Sequence, residues 1–339
     1  MVTVTHTRST SVDSPKGLTG KLYPDSRISL AYRGVGQQKR SRKTTGDRER
    51  WACQQSVTHA SAPSKPSSPR GQKGITSYGR RMVRCCAALL EQSHDRRCLT
   101  FGTATLPDLP EEDMELLLSR WPEVSNRFFE EYGREVVRSG LPWSVVYVTE
   151  IQPRRWEQSG KVALHFHWLC PGRHSRRSPW VITPKKCAEI LGRVISRVLG
   201  YTPDMGAAIR LEVPRGSVVK EVGKYLSKGC QCVADVVRSG KGHLLPKAWW
   251  GGTRKLKSAV EQSVIWLDRD ECLGLIDRQD SLRSTKRAWV LHHFIDRHDA
   301  DSLPDQDKKF WVGATFGFNC DRSVLLAFIK TLKLQDDCA

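Results

Sequence analysis

Long apolar runs are missing from this 339-residue sequence, and so is an apolar signal-peptide stretch near its start. The first absence excludes a helical membrane-spanning chain, and the second argues against export. Cysteine pairs at CxxC spacing are missing too. The eleven cysteines are odd in number and follow no repeating frame, and Cys230-Gln231-Cys232 has no second pair at finger-like spacing. Neither a disulfide framework nor a structural zinc finger fits that pattern, and the expectation is a reduced, cytosolic protein. No internal repeat is found, which excludes solenoid and propeller architectures. Acids are outnumbered: 36 Asp and Glu face 55 Lys and Arg, a net charge of +19. Such an excess points to a polyanionic partner, without separating nucleic acid from a lipid surface or from a basic face that is merely solvated.

The charge is unevenly spread. Residues 1–75 carry fourteen Lys and Arg against four Asp and Glu, and so hold +10 of the total. That stretch is rich in Ser, Thr, Pro and Gly and shows no sustained period, so it reads as a disordered basic arm. Residues 76–255 show pattern and read as one domain. Residues 256–339, with short apolar stretches near 264–267, 289–295 and 311–318 and a helical pattern over 323–334, read as a C-terminal accessory region.

Within the patterned domain the elements interleave. Helices are expected over 77–92, after Pro110, from Pro122 to Gly140, from Thr183 to Gly200 and over 217–228 with Gly229 as the stop. Strands are expected over 99–105, 144–151, 162–169 and 207–213, with 152–161 as a polar, basic loop joining an antiparallel pair. The fold class is therefore α+β, with flanking helices.

Two places in this layout carry chemistry. On the strand at 162–169, His165 and His167 share one face at i, i+2 and can offer two nitrogens to one divalent ion. Glu150, near the end of the neighbouring strand, is the candidate third ligand. The bland reading has one histidine packed against apolar neighbours and the other solvated. On the helix at 217–228, Glu221, Tyr225 and Lys228 fall at i, i+4 and i+7, beside an apolar row of Val218, Val222 and Leu226. A tyrosine hydroxyl there is a nucleophile for phosphorus if a nearby cation favours the phenolate. Otherwise it is a packed ring with a bonded hydroxyl.

These segments resemble the rolling-circle replication initiators of the HUH endonuclease superfamily, found in plasmids and single-stranded DNA phages. The resemblance covers Arg97 to Lys255. It is carried, in order, by Leu99-Thr-Phe-Gly-Thr-Ala-Thr105, Glu150, Gly160 followed by His165-Phe166-His167, Lys224-Tyr225-Leu226-Ser227-Lys228, and Trp249-Trp-Gly-Gly-Thr-Arg254. It implies a central antiparallel sheet of ferredoxin-like, split-βαβ type, with Mg²⁺ or Mn²⁺ on His165, His167 and Glu150. Tyr225 would attack single-stranded origin DNA, leaving a 5′-phosphotyrosyl link and a free 3′-OH for the helicase and polymerase of a bacterial host, in its cytoplasm. Phage members carry a second tyrosine four residues upstream. Glu221 stands there in this chain, as in a plasmid branch where a glutamate is thought to activate water, so Glu221 is either a general base or a surface acid paired with its helix neighbours. Phosphate contacts would come from Arg154, Arg155, Lys224, Arg254 and Lys255, and base stacking from Trp156 or Trp249.

Two other classes compete. One is a non-catalytic DNA-binding replication regulator that keeps the fold without the chemistry. The other is a zinc-dependent hydrolase that uses His165, His167 and Cys170.

Overall fold

A computed structural model describes residues 17–33, 74–205, 209–267, 271–272, 288–292, 315–318, 325 and 329. The chain divides into two compact units, Ser67–Ser263 and a second built from Met1–Pro66 with Val264–Ala339.

The second unit contains a five-stranded sheet. Strands β1 (Gly17–Leu22) and β2 (Arg27–Arg33) form an antiparallel hairpin. Its turn is Tyr23-Pro24-Asp25-Ser26, closed by the Ser26 N–H donating to the Tyr23 carbonyl at 3.1 Å. This hairpin departs from the disordered arm expected over 1–75. It is stabilised by strands far away in sequence: β8 (Ile265–Leu267) pairs with β1, and β10 (Thr315–Phe318) pairs with β2 and with β9 (Ala288–His292). The C-terminal stretches and the N-terminal hairpin therefore belong to one unit, where the sequence suggests two separate ones. The rest of 1–75 lies outside the described residues, as does all but Leu325 and Ile329 of the helix expected over 323–334.

The larger unit is α+β, with a five-stranded, wholly antiparallel sheet. Its strands are β3 (Leu99–Thr105), β4 (Val146–Ile151), β5 (Leu164–Pro171), β6 (Ile209–Glu212) and β7 (Trp250–Gly252), in the order β6-β3-β5-β4-β7. The strand carrying the histidines is the central one. Its two faces have different coverings because side chains alternate. Leu164, Phe166 and Trp168 point into the main core, against α2 (Glu111–Ser119), α3 (Trp121–Arg138) and α5 (Pro184–Leu199). There Phe128 meets Phe166 and Trp168 edge-on at 5.5 and 5.6 Å. The Trp121 indole N–H, fully buried, donates to Thr149 Oγ1 at 3.1 Å, so the ring adds its area to the core without leaving a donor unmet. The opposite face, with His165 and His167, lies under α1 (Ser77–Ser93) and α6 (Val218–Arg238).

Local signals explain most boundaries. Helix α5 starts on Thr183, whose side chain accepts from the Lys186 N–H, and ends on Gly200 in the left-handed region. Helix α6 runs through Gly229, where the sequence suggests a stop. A mid-helix glycine costs about 1 kcal/mol, and the buried Val233 and Val236 beyond it outweigh that. The expected loop at 152–161 holds a helix, α4 (Pro153–Ser159), with Pro153 in its first turn and Gly160 at φ 62° as its cap. Helix α7 (Arg254–Gln262) follows β7. No helix among the described residues is long and apolar enough to cross a membrane.

Candidate metal centre

Register brings three potential ligands together. Glu150 of β4 and Thr105 of β3 stand opposite His165, while Val148 and Thr103 stand opposite His167. Cross-strand neighbours share a face, so one carboxylate and two imidazoles meet in the middle of the sheet. One ligand atom from each of Glu150, His165 and His167 lies within 4.8 Å of the others. The imidazole rings stack with centroids 4.5 Å apart, and Phe101 lies parallel to His167 at 5.6 Å on its other side.

Neighbouring side chains fix these rings. Nδ1 of His167 is 2.9 Å from Thr103 Oγ1, and its Nε2 is 3.2 Å from Glu150 Oε1. When Nδ1 donates to the threonine oxygen, the Nε2 lone pair faces the carboxylate side, where a cation would sit. The Gln152 amide lies 3.3 Å from Nδ1 of His165 and 3.4 Å from Thr105 Oγ1, and so holds the second ring. Glu150 is buried, and its Oε2 has no hydrogen-bond partner. A buried carboxylate oxygen without a donor is costly, and a cation beside it removes that cost. The cluster therefore fits a metal ion. Thr103 and Gln152 escape a reading based on ligand types, because only the strand register aligns them with the histidines.

Helix α6 packs against β4 on the face that carries this cluster. Val222 lines a small apolar cavity together with His167 and Val148. Ten residues on, burial pushes up the pKa of the Cys232 thiol, with Asp235, Glu157 and Glu150 adding to the rise. About 15 Å of helix separates Val222 from Cys232. Tyr225, Lys224 and Lys228 lie on that stretch, and their side chains are outside the described residues. Glu221 is half-buried in the first turn of the helix.

The remaining candidates separate. Arg154, Arg254 and Lys255 are exposed, whereas Arg155 is half-buried and donates to the Leu106 carbonyl at 3.3 Å, tying α4 to the end of β3. Trp156 is partly buried against the core. Trp249 is only 5% exposed within the core, so no base can stack on it, and the more open indole is that of its neighbour Trp250. Cys170 lies on the opposite face of β5 from the histidines, with its sulfur 3.9 Å from the Tyr132 hydroxyl, and burial pushes its thiol up to about 12. It cannot complete a zinc site with His165 and His167.

Compared with known proteins, the chain matches no protein-family model, no curated protein and no solved structure.

Proposed function

We propose that this protein is a metal-dependent, single-strand-specific DNA nickase of HUH type that initiates rolling-circle replication. The observation that carries the reading is the Glu150, His165 and His167 cluster on the sheet face that α6 covers, the helix that bears Tyr225 and whose Val222 shares a cavity with His167. Residue 225 stands three positions, just under one helical turn, after Val222, the residue that lines the cavity with His167. The central position of the histidine strand in an antiparallel sheet supports a ferredoxin-like, split-βαβ arrangement.

A divalent ion on Glu150, His165 and His167 would polarise the scissile phosphate. Two imidazoles beside one carboxylate suit Mn²⁺ better than Mg²⁺, which prefers an all-oxygen shell. The chain's own contribution is positional. Thr103 and Gln152 orient the imidazoles, and α6 presents the Tyr225 hydroxyl for in-line attack on phosphorus. The Tyr225 oxygen forms the new P–O bond, the 3′ oxygen of the preceding nucleotide leaves with a proton, and the strand's 5′ phosphate stays on the enzyme. Glu221, one helical turn before Tyr225, is the base that would later deprotonate water to release the strand. Single-stranded origin DNA is the substrate in this reading, and the host helicase and polymerase use the 3′-OH.

The test is Mn²⁺-dependent cleavage of labelled single-stranded origin DNA, scored by whether a polymerase extends the new 3′ end. Tyr225→Phe should yield no extendable end. A wild-type protein that binds the DNA and never cuts it would favour the non-catalytic regulator.

A further inference from the structure

The loop at residues 172–181 joins β5 to α5 and leaves the sheet at the end opposite the metal centre. Along the β3–β5 ladder Thr105 pairs with His165 at one end and Leu99 with Pro171 at the other. The strand advances about 20 Å between those ends. Backbone bonds hold the loop closed. The Val181 N–H donates to the Gly172 carbonyl at 3.0 Å, and the Gly172 and Arg173 N–H groups donate to the Cys98 carbonyl at 3.0 and 3.2 Å. At the tip the Ser175 N–H donates to Ser178 Oγ at 2.8 Å, and the Ser178 N–H to Ser175 Oγ at 3.2 Å. A ten-residue loop with joined ends and internal bonds is an Ω-loop, a compact way to display side chains at a fixed place.

The charge on display is nearly all of one sign. Residues 92–98 and 172–186 hold seven Lys and Arg against one acid, Asp95. That acid is already engaged: it accepts from the Arg97 N–H at 2.9 Å and from Arg176 Nε at 2.5 Å. Arg97, Arg176 and Arg177 are all exposed. Lys185 and Lys186 stand in the first turn of α5, where the helix dipole disfavours cations and an anion relieves the conflict. A free aromatic face is missing from the loop. Its one indole, Trp180, lies under the Arg173 guanidinium at 3.6 Å, so that face is closed to a base. Cations without a stacking platform suit phosphates rather than unpaired bases, and a duplex presents its phosphates outward.

We propose that this loop, together with Arg97, docks the phosphate backbone of duplex DNA without regard to base sequence. The duplex lies at one end of the sheet, and its single-stranded extension reaches the metal centre at the other. The separation of about 20 Å equals the rise of about six base pairs. The inference rests on the nickase reading only for the strand at the metal centre.

The experiment is a fluorescence-anisotropy titration of the full chain, in EDTA, with two labelled 20-base-pair duplexes of unrelated sequence. Arg97→Gln/Arg177→Gln should weaken binding of both at least about fivefold and lower the slope of log affinity against log salt by about 1.8. Arg97→Lys/Arg177→Lys should keep the wild-type slope, and unchanged Mn²⁺ affinity in the glutamine variant would show that the sheet is intact. Wild-type affinity and slope in the glutamine variant would overturn the surface. An equal loss of single-stranded oligo-dT binding, an effect on one duplex sequence alone, or no duplex binding by the wild type would overturn it too. If the glutamine variant binds duplex normally while the wild type forms a Tyr225 adduct, the docking surface alone is wrong. If it binds duplex weakly while no adduct ever forms, the surface stands and the nickase reading fails.

Discussion

Glu150 faces His165 directly across the β4–β5 ladder, and its Oε1 lies 3.2 Å from Nε2 of His167. One carboxylate thus serves both histidines of the central strand, while its other oxygen is buried without a hydrogen bond. A cation at this point would satisfy that oxygen and hold two strands together.

Metal binding should therefore stabilise the fold. Mn²⁺ at a hundred times its dissociation constant is expected to raise the unfolding free energy by about 2.7 kcal/mol, read from urea denaturation with and without the ion. Glu150→Gln and His167→Ala should abolish the increment. An equal increment in both variants would locate the ion elsewhere.

Thr103→Val removes the oxygen 2.9 Å from His167 Nδ1 and keeps the side-chain shape. Isothermal titration should show Mn²⁺ affinity falling about tenfold or more, since partners behind a ligating histidine typically matter on that scale. An unchanged affinity would mean that the threonine does not orient the ring.

Gly102 lies beneath the indole of Trp168, where an added Cβ would come within 2.1 Å of the ring. Because Trp168 is 1% exposed in the main core, it cannot move aside easily. Gly102→Ala should cost about 1–3 kcal/mol in a urea titration. On α6, by contrast, a Cβ on Gly223 would meet nothing within 4 Å, and Gly223→Ala should add about 0.5–1 kcal/mol.

Burial pushes the thiols of Cys86 and Cys170 from an ordinary 9.0 up to about 12, although Lys257 draws the first back slightly. The unfolded chain loses these protons near pH 9, while the folded chain keeps them to about pH 12. Their contribution is thus complete below pH 9 and is lost as pH rises from 9 towards 12. The urea midpoint should fall between pH 8 and pH 10, and Cys170→Ala should reduce the drop. A midpoint that is flat over that interval would contradict the burial of these groups.

The legible and the hidden parts of the structure differ in a physical way. Leu99–Thr105 and the helix from Thr183 to Gly200 were readable because alternation, an N-cap and a glycine cap are local. Glu150, His165 and His167 were readable because a hairpin register needs only two neighbouring strands. Helix α4 had signals, Pro153 and Gly160, that its polar composition obscured. Gly229 misled because the packing of Val233 and Val236 decides the length of α6. The β1–β2 hairpin had a turn signal in Pro24-Asp25-Ser26, but its sheet partners lie more than 200 residues away, and no local pattern can announce them.

The most direct measurement is peptide mapping by mass spectrometry after incubation with labelled single-stranded origin DNA and Mn²⁺. The expected result is a nucleotide phosphate on the peptide containing Tyr225, in an SDS-resistant adduct that is absent from Tyr225→Phe and from His165→Ala/His167→Ala. No adduct under any divalent metal, or an adduct that survives Tyr225→Phe, would contradict the account.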